Sequence, residues 1–232
     1  MPIVQRISLI FAAACLLATV SASVASPPEH RAAGSATQDQ WEETMAAFAA
    51  ADLEDAPLAG SVLFVGSSSI RLWNTLEKQF GAAQVLKRGF GGSRLTDCVK
   101  HLDRLVVQYQ PRVVLLYAGD NDLAEGGSPD DVLARFKAFT EGVHGRLPDT
   151  RIVFISIKPS PARRALIGQA RAANELVRAY ADDHPQVEYV DVFTPMLSAD
   201  GSPRADLFRK DALHLNDAGY ALWRTILQPF VR

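Results

Sequence analysis

The chain has 232 residues and only two cysteines, Cys15 and Cys98. Removal of an N-terminal leader would leave Cys98 alone. No internal disulfide could then form, and stability would have to come from a buried core. An excess of one charge is also missing. There are 24 Lys and Arg against 26 Asp and Glu, a formal net charge of -2, with no block of like charges. That balance excludes the basic footprint of a nucleic-acid-binding protein. No apolar run has the length of a comfortable membrane span. Histidines and cysteines do not cluster at metal-ligand spacing, so no metal is expected. No internal repeat is present, and the only biased tract is the alanine-rich N-terminus.

The N-terminus reads as a targeting segment. Arg6 precedes an almost wholly apolar stretch from Ile7 to Val20, and "SASVAS" follows. Ser23 and Ala25 fit the small-x-small rule for leader cleavage, which places a signal peptide at 1–25 and an exported mature chain, periplasmic or secreted. Lipid anchoring through Cys15, after "AAAC", is the weaker alternative because the apolar stretch before it is short. Residues 26–37, "SPPEHRAAGSAT", read as a linker, and 38–232 as one domain, long enough for a sizeable core. At its start Trp41, Met45 and Phe48 stand at helical spacing.

Five short apolar runs recur: Val62–Val65, Gln84–Lys87, Val113–Tyr117, Ile152–Ile157 and Val187–Val192. Continuous apolar runs of this length suit strands buried on both faces. Helical patterns alternate with them. Leu95, Val99, Leu102, Val106 and Tyr109 form one stripe. Ser128, Pro129 and the following acids start a helix that Pro148 ends. Leu166, Ala170, Ala173, Leu176 and Tyr180 form another stripe, and Asn216 can cap a last helix. This alternation predicts an α/β domain with a parallel sheet, whose ligands bind beyond the carboxyl ends of the strands.

The segments at those ends are "GSSS" at 66–69, "RGFGGS" at 88–93, "GDND" at 119–122 and "KPSP" at 158–161. A longer loop after the fifth run leads to "DALHLN" at 211–216. Asp211 lies three residues before His214, close enough for a turn to bring carboxylate and imidazole together and orient the ring as a base. A serine hydroxyl needs such a base to become a nucleophile. Ser67, Ser68 and Ser69 also suit ordinary helix capping, and the run itself does not say which of them matters. Gly91 and Gly92 allow close backbone approach, and Asn121 offers an amide donor for a developing oxyanion. Asp120 and Asp122 read as loop structure rather than metal ligands. "GFGGSR" lacks the last glycine of a dinucleotide fingerprint. Ile70 stands where the G-x-S-x-G nucleophile elbow needs glycine.

Together "FVGSSSI", "RGFGGS", "AGDND" and "DALHLN" resemble, in order, the motifs of the SGNH (GDSL-type) hydrolases, over roughly residues 62–216. The resemblance implies a flavodoxin-like three-layer sandwich around a five-stranded parallel sheet. It implies Ser68 as nucleophile, His214 as base and Asp211 as the acid orienting it. The Ser68 and Gly92 N–H groups and the Asn121 side chain would form an oxyanion hole. It further implies hydrolysis of an ester, short-chain by family tendency, of a small molecule, glycan or lipid, without a cofactor. The family's G-D-S becomes Gly66-Ser67-Ser68 here, which bears on loop bonding more than on the triad. An acyltransferase would use the same residues. A non-catalytic glycan-binding protein on the same fold would not need the Ser, Asn, Asp and His set.

Overall fold

A computed structural model describes residues 39–81 and 83–231. The expected leader, the expected linker and Cys15 lie outside the described residues. A helix α1 (Glu42–Glu54) comes first, after Asp39 has accepted the Trp41 backbone N–H. The five strands are β1 (Val62–Gly66), β2 (Val85–Gly89), β3 (Val113–Tyr117), β4 (Arg151–Ile155) and β5 (Val187–Val190). All neighbours pair in parallel, in the order β2-β1-β3-β4-β5. The chain runs outward from β1 in both directions, so the sheet has its switch point between β1 and β3, where a crevice opens beyond the strand ends.

Alternation along each strand sorts side chains to two cores. Leu63, Val65, Val114, Leu116, Ile152 and Phe154 face one layer. That layer holds α1, α4 (Leu95–Lys100), α5 (Leu102–Leu105), α7 (Pro129–His144) and α8 (Ile167–Asp182). Val62, Phe64, Val113, Leu115, Val153 and Ile155 face the other, where α2 (Ser68–Arg71), α3 (Leu76–Gln79) and α9 (Asp217–Leu227) pack. Phe64, Trp73, Tyr220 and Trp223 dominate the second core, with Trp73 stacked on Tyr220 at 5.0 Å. A short α6 (Asp120–Ala124) follows β3. The strands are apolar throughout because both faces are covered.

Two caps expected from the sequence form: Ser128 and Asp131 make a reciprocal capping box, and Asn216 accepts the Gly219 N–H. The stripe 94–109 is not one helix. It breaks at His101 and tightens into a 3-10 turn over Val107–Tyr109, although its apolar positions still face the core. The fourth run ends at Ile155 because Asn174 on α8 engages both the N–H and the C=O of Ile157 and draws the chain off the ladder. The fifth ends at Val190; beyond it the Ser156 hydroxyl takes the Val192 and Phe193 N–H groups. No helix among the described residues is long and apolar enough to cross a membrane.

Candidate active site

The site is built from strand ends. Gly66 closes β1 with φ 135°, and a Cβ there would lie 1.9 Å from the Tyr117 carbonyl oxygen. Only glycine permits this approach of β1 to β3. Ser67 N–H then donates to that same oxygen at 2.9 Å, which fixes the start of α2. The three serines thereby part ways. Ser67 and Ser69 are fully buried, and neither hydroxyl has a hydrogen-bond partner among the described residues. Ser68, at the first turn of α2, is partly exposed, and its Oγ lies 3.0 Å from His214 Nε2.

His214 comes from a turn, not a helix. Asp211 Oδ1 accepts the N–H groups of Leu213 and His214 at 3.0 and 2.9 Å, while Ala212 takes φ 55°. The other carboxylate oxygen, Oδ2, stands 2.7 Å from His214 Nδ1. The His214 N–H, the imidazole and the Leu213 N–H hold the Asp211 carboxyl well below the usual carboxylate range. Ser68, His214 and Asp211 therefore form one continuous hydrogen-bonded chain.

The glycine loop after β2 reaches the same crevice. Phe90 N–H donates to the Gly66 carbonyl at 2.8 Å. Gly92 has φ 85°, in the region that glycine favours, and the Trp41 ring covers it. The backbone N–H groups of Ser68 and Gly92 have no acceptor among the described residues. Asn121 is buried at the start of α6, and its Nδ2 donates to the Ser93 carbonyl at 2.9 Å, which ties the β3 loop to the β2 loop.

Asp120 and Asp122 belong to α6 rather than to a loop, and they point to different partners. Asp122 accepts the Leu95 N–H and pairs with Arg135, although burial pushes its carboxyl upward. Asp120 accepts from Lys158 Nζ and the Tyr117 hydroxyl, each at 3.1 Å, and Arg163 lies 3.1 Å away. Burial pushes Asp120 up, but Lys158 and Arg163 outweigh it and leave the carboxyl below its ordinary value. Among the described residues no three acidic, histidine or cysteine side chains gather as a metal site.

Sequence reasoning missed this buried charge cluster. A signal for part of it was present: an acid after β3 and a lysine after its neighbour β4 stand at adjacent strand ends. Arg163 left no such signal, because only the 3-10 turn over Pro161–Leu166 brings it back to Asn121. A narrow pocket lies beside the cluster, lined by Leu123, Ile157, Leu166 and Ile167 with Asp120 and Arg163.

A parallel α/β sandwich with a serine, a histidine and a carboxylate at its switch point defines a class, the SGNH-type hydrolases. Residues 59–222 match the model of the GDSL-like Lipase/Acylhydrolase family, and the chain belongs to that family. Among solved structures, a GDSL-like lipase from Bacteroides thetaiotaomicron is similar at 19% identity and TM-score 0.69, over 81% of this chain and 96% of that one. A Streptococcus pneumonia protein, described provisionally as a platelet activating factor, reaches TM-score 0.74 at 22% identity, over 82% and 92%. A Clostridium thermocellum family 3 carbohydrate esterase reaches 0.59 at 16%, over 75% and 98%. At these identities the likeness concerns the fold. No curated protein matches the chain by sequence.

Proposed function

We propose that the chain is a serine esterase that cleaves short-acyl carboxylic esters through an acyl-enzyme on Ser68. The observation that carries this reading is the hydrogen-bonded chain from Ser68 Oγ through His214 to Asp211 at the end of β1. His214, with its Nδ1 proton held by Asp211, takes the Ser68 proton at Nε2 as Oγ attacks the ester carbonyl. The free N–H groups of Ser68 and Gly92 and the second Nδ2 hydrogen of Asn121 receive the oxyanion. His214 returns the proton to the leaving alcohol, and water repeats the sequence to release the acid. The substrate is a small-molecule, glycan or lipid ester, and no step calls on a cofactor.

The test is twofold. Ser68→Ala should abolish hydrolysis of aryl esters in a series of increasing acyl length, while Ser67→Ala and Ser69→Ala stay active. A phosphonate probe should label residue 68, as seen by peptide mass spectrometry. Wild-type turnover in Ser68→Ala, or no adduct on folded protein, overturns the reading. We also propose export, with cleavage after Ala25. The intact mass of the exported protein should begin at Ser26; an acylated Cys15 at the N-terminus would refute this.

A further inference from the structure

We propose that Arg163 is the positioning residue for the Asn121 amide; the proposal rests on the esterase reading, in which that amide holds the oxyanion. An asparagine amide can sit either way round, and only one orientation turns N–H toward a substrate oxygen. In this structure both ends of the amide are constrained by groups that cannot exchange roles. The guanidinium Nη2 of Arg163 donates to Asn121 Oδ1 at 2.8 Å, and a guanidinium has no acceptor. The Ser93 carbonyl accepts from Nδ2 at 2.9 Å, and a carbonyl has no donor. A flipped amide would face a donor with a donor and an acceptor with an acceptor. One Nδ2 hydrogen remains for the oxyanion, and the adjacent positive charge polarises it toward stronger donation.

Arg163 is itself held. Its Nη1 lies 3.1 Å from Asp120 Oδ2, and Asp120 is locked in turn by Lys158 and Tyr117, both almost wholly buried. Lys158 Nζ also donates to the Tyr117 hydroxyl at 3.0 Å, which closes the ring of contacts. The same 3-10 turn braces the triad loop, because Ala162 N–H donates to the Ala212 carbonyl at 3.0 Å, between Asp211 and His214. One short segment after β4 thus supports the amide through a side chain and the histidine turn through its backbone.

A double-mutant cycle tests the proposal with purified protein and an aryl ester. The variants are Arg163→Met, Asn121→Ala and both together. Methionine keeps the apolar length without donors, and Lys158 still neutralises Asp120. Arg163→Met should lower kcat by about 10- to 100-fold, since a misplaced group costs rate rather than binding, with KM within about twofold. In the Asn121→Ala background the same substitution should change kcat by less than about twofold. Arg163→Lys, which keeps one donor and the charge, should recover part of the loss. Multiplicative losses would show that Arg163 acts independently of Asn121, and a KM rise in both backgrounds would make it a substrate contact; either overturns the proposal. If Arg163→Met does not fold, Arg163→Leu, which also lacks donors, carries the same cycle with the same criteria. Activity in Ser68→Ala would instead defeat the esterase reading, so the two failures are distinguishable.

Discussion

A carboxylate that accepts two backbone N–H groups and an imidazole does not protonate where a free aspartic acid does. Asp211 is such a group, and its ionisation is displaced far below the range in which histidines titrate. Two consequences follow for the proposed reaction. The acid limb of kcat/KM should fall with a slope of one proton, without a second step from Asp211. Asp211→Asn should lower kcat by about 10⁴-fold at constant fold, because the ring then loses the acceptor that selects its working tautomer. A pH profile of slope two, or an Asp211→Asn variant with near-normal kcat, would remove Asp211 from the proposed triad. At the same scale, the serine proposed as nucleophile is distinguished by its surroundings. Ser67 and Ser69 are sealed in the core, whereas Ser68 faces an imidazole.

Between residue and fold lies the turn that joins β1 to α2. Its geometry depends on Gly66, where the backbone is left-handed and a side chain would run into the Tyr117 carbonyl. Gly66→Ala combines strained φ with overpacking against backbone, at about 1–3 kcal/mol for each effect. The variant should lose roughly 3 kcal/mol of stability in urea unfolding and most of the proposed esterase activity, because α2 can no longer start where β1 ends. Full stability in Gly66→Ala would mean that the two strand ends can part without cost. The turn also shows what was legible beforehand. An apolar run halted by glycine and hydroxyls announces a strand-to-helix junction. The approach of Tyr117, more than 50 positions away in sequence, is a contact between neighbouring strands and left no local trace.

For the whole molecule, the buried cluster of Asp120, Lys158, Tyr117 and Arg163 joins the ends of β3 and β4 and couples stability to pH. The folded-state pKa of Asp120 lies below its ordinary value of 3.8. A depressed carboxylate contributes stability above its unfolded pKa and loses it as pH falls through the folded value. Asp39, lowered to about 2 by Lys100 and the Trp41 N–H, adds in the same direction at the start of α1. Unfolding midpoints in urea should therefore hold steady down to about pH 4 and fall below it. Lys158→Met should cost about 3 kcal/mol near neutrality, since it leaves a buried carboxylate with Arg163 as its sole cation. A midpoint that rises on acidification would contradict the direction argued for Asp120.

The fold class, the strand count and the helix caps at Ser128 and Asn216 were all decided in the sequence. Each rests on local signals: runs of apolar residues, periodic stripes, capping side chains and glycine-bearing turns act within a few positions of where they are read. The ends of β4 and β5, the break in the stripe 94–109 and the different surroundings of the three serines were decided by tertiary structure. So was the clamp on Asn121. These depend on groups far apart in the chain: Asn174 beside Ile157, Ser156 beside Val192, His214 beside Ser68 and Arg163 beside Asn121. The physical reason is that a buried polar group must find a partner, and once the sheet has formed that partner is set by proximity in space rather than along the chain.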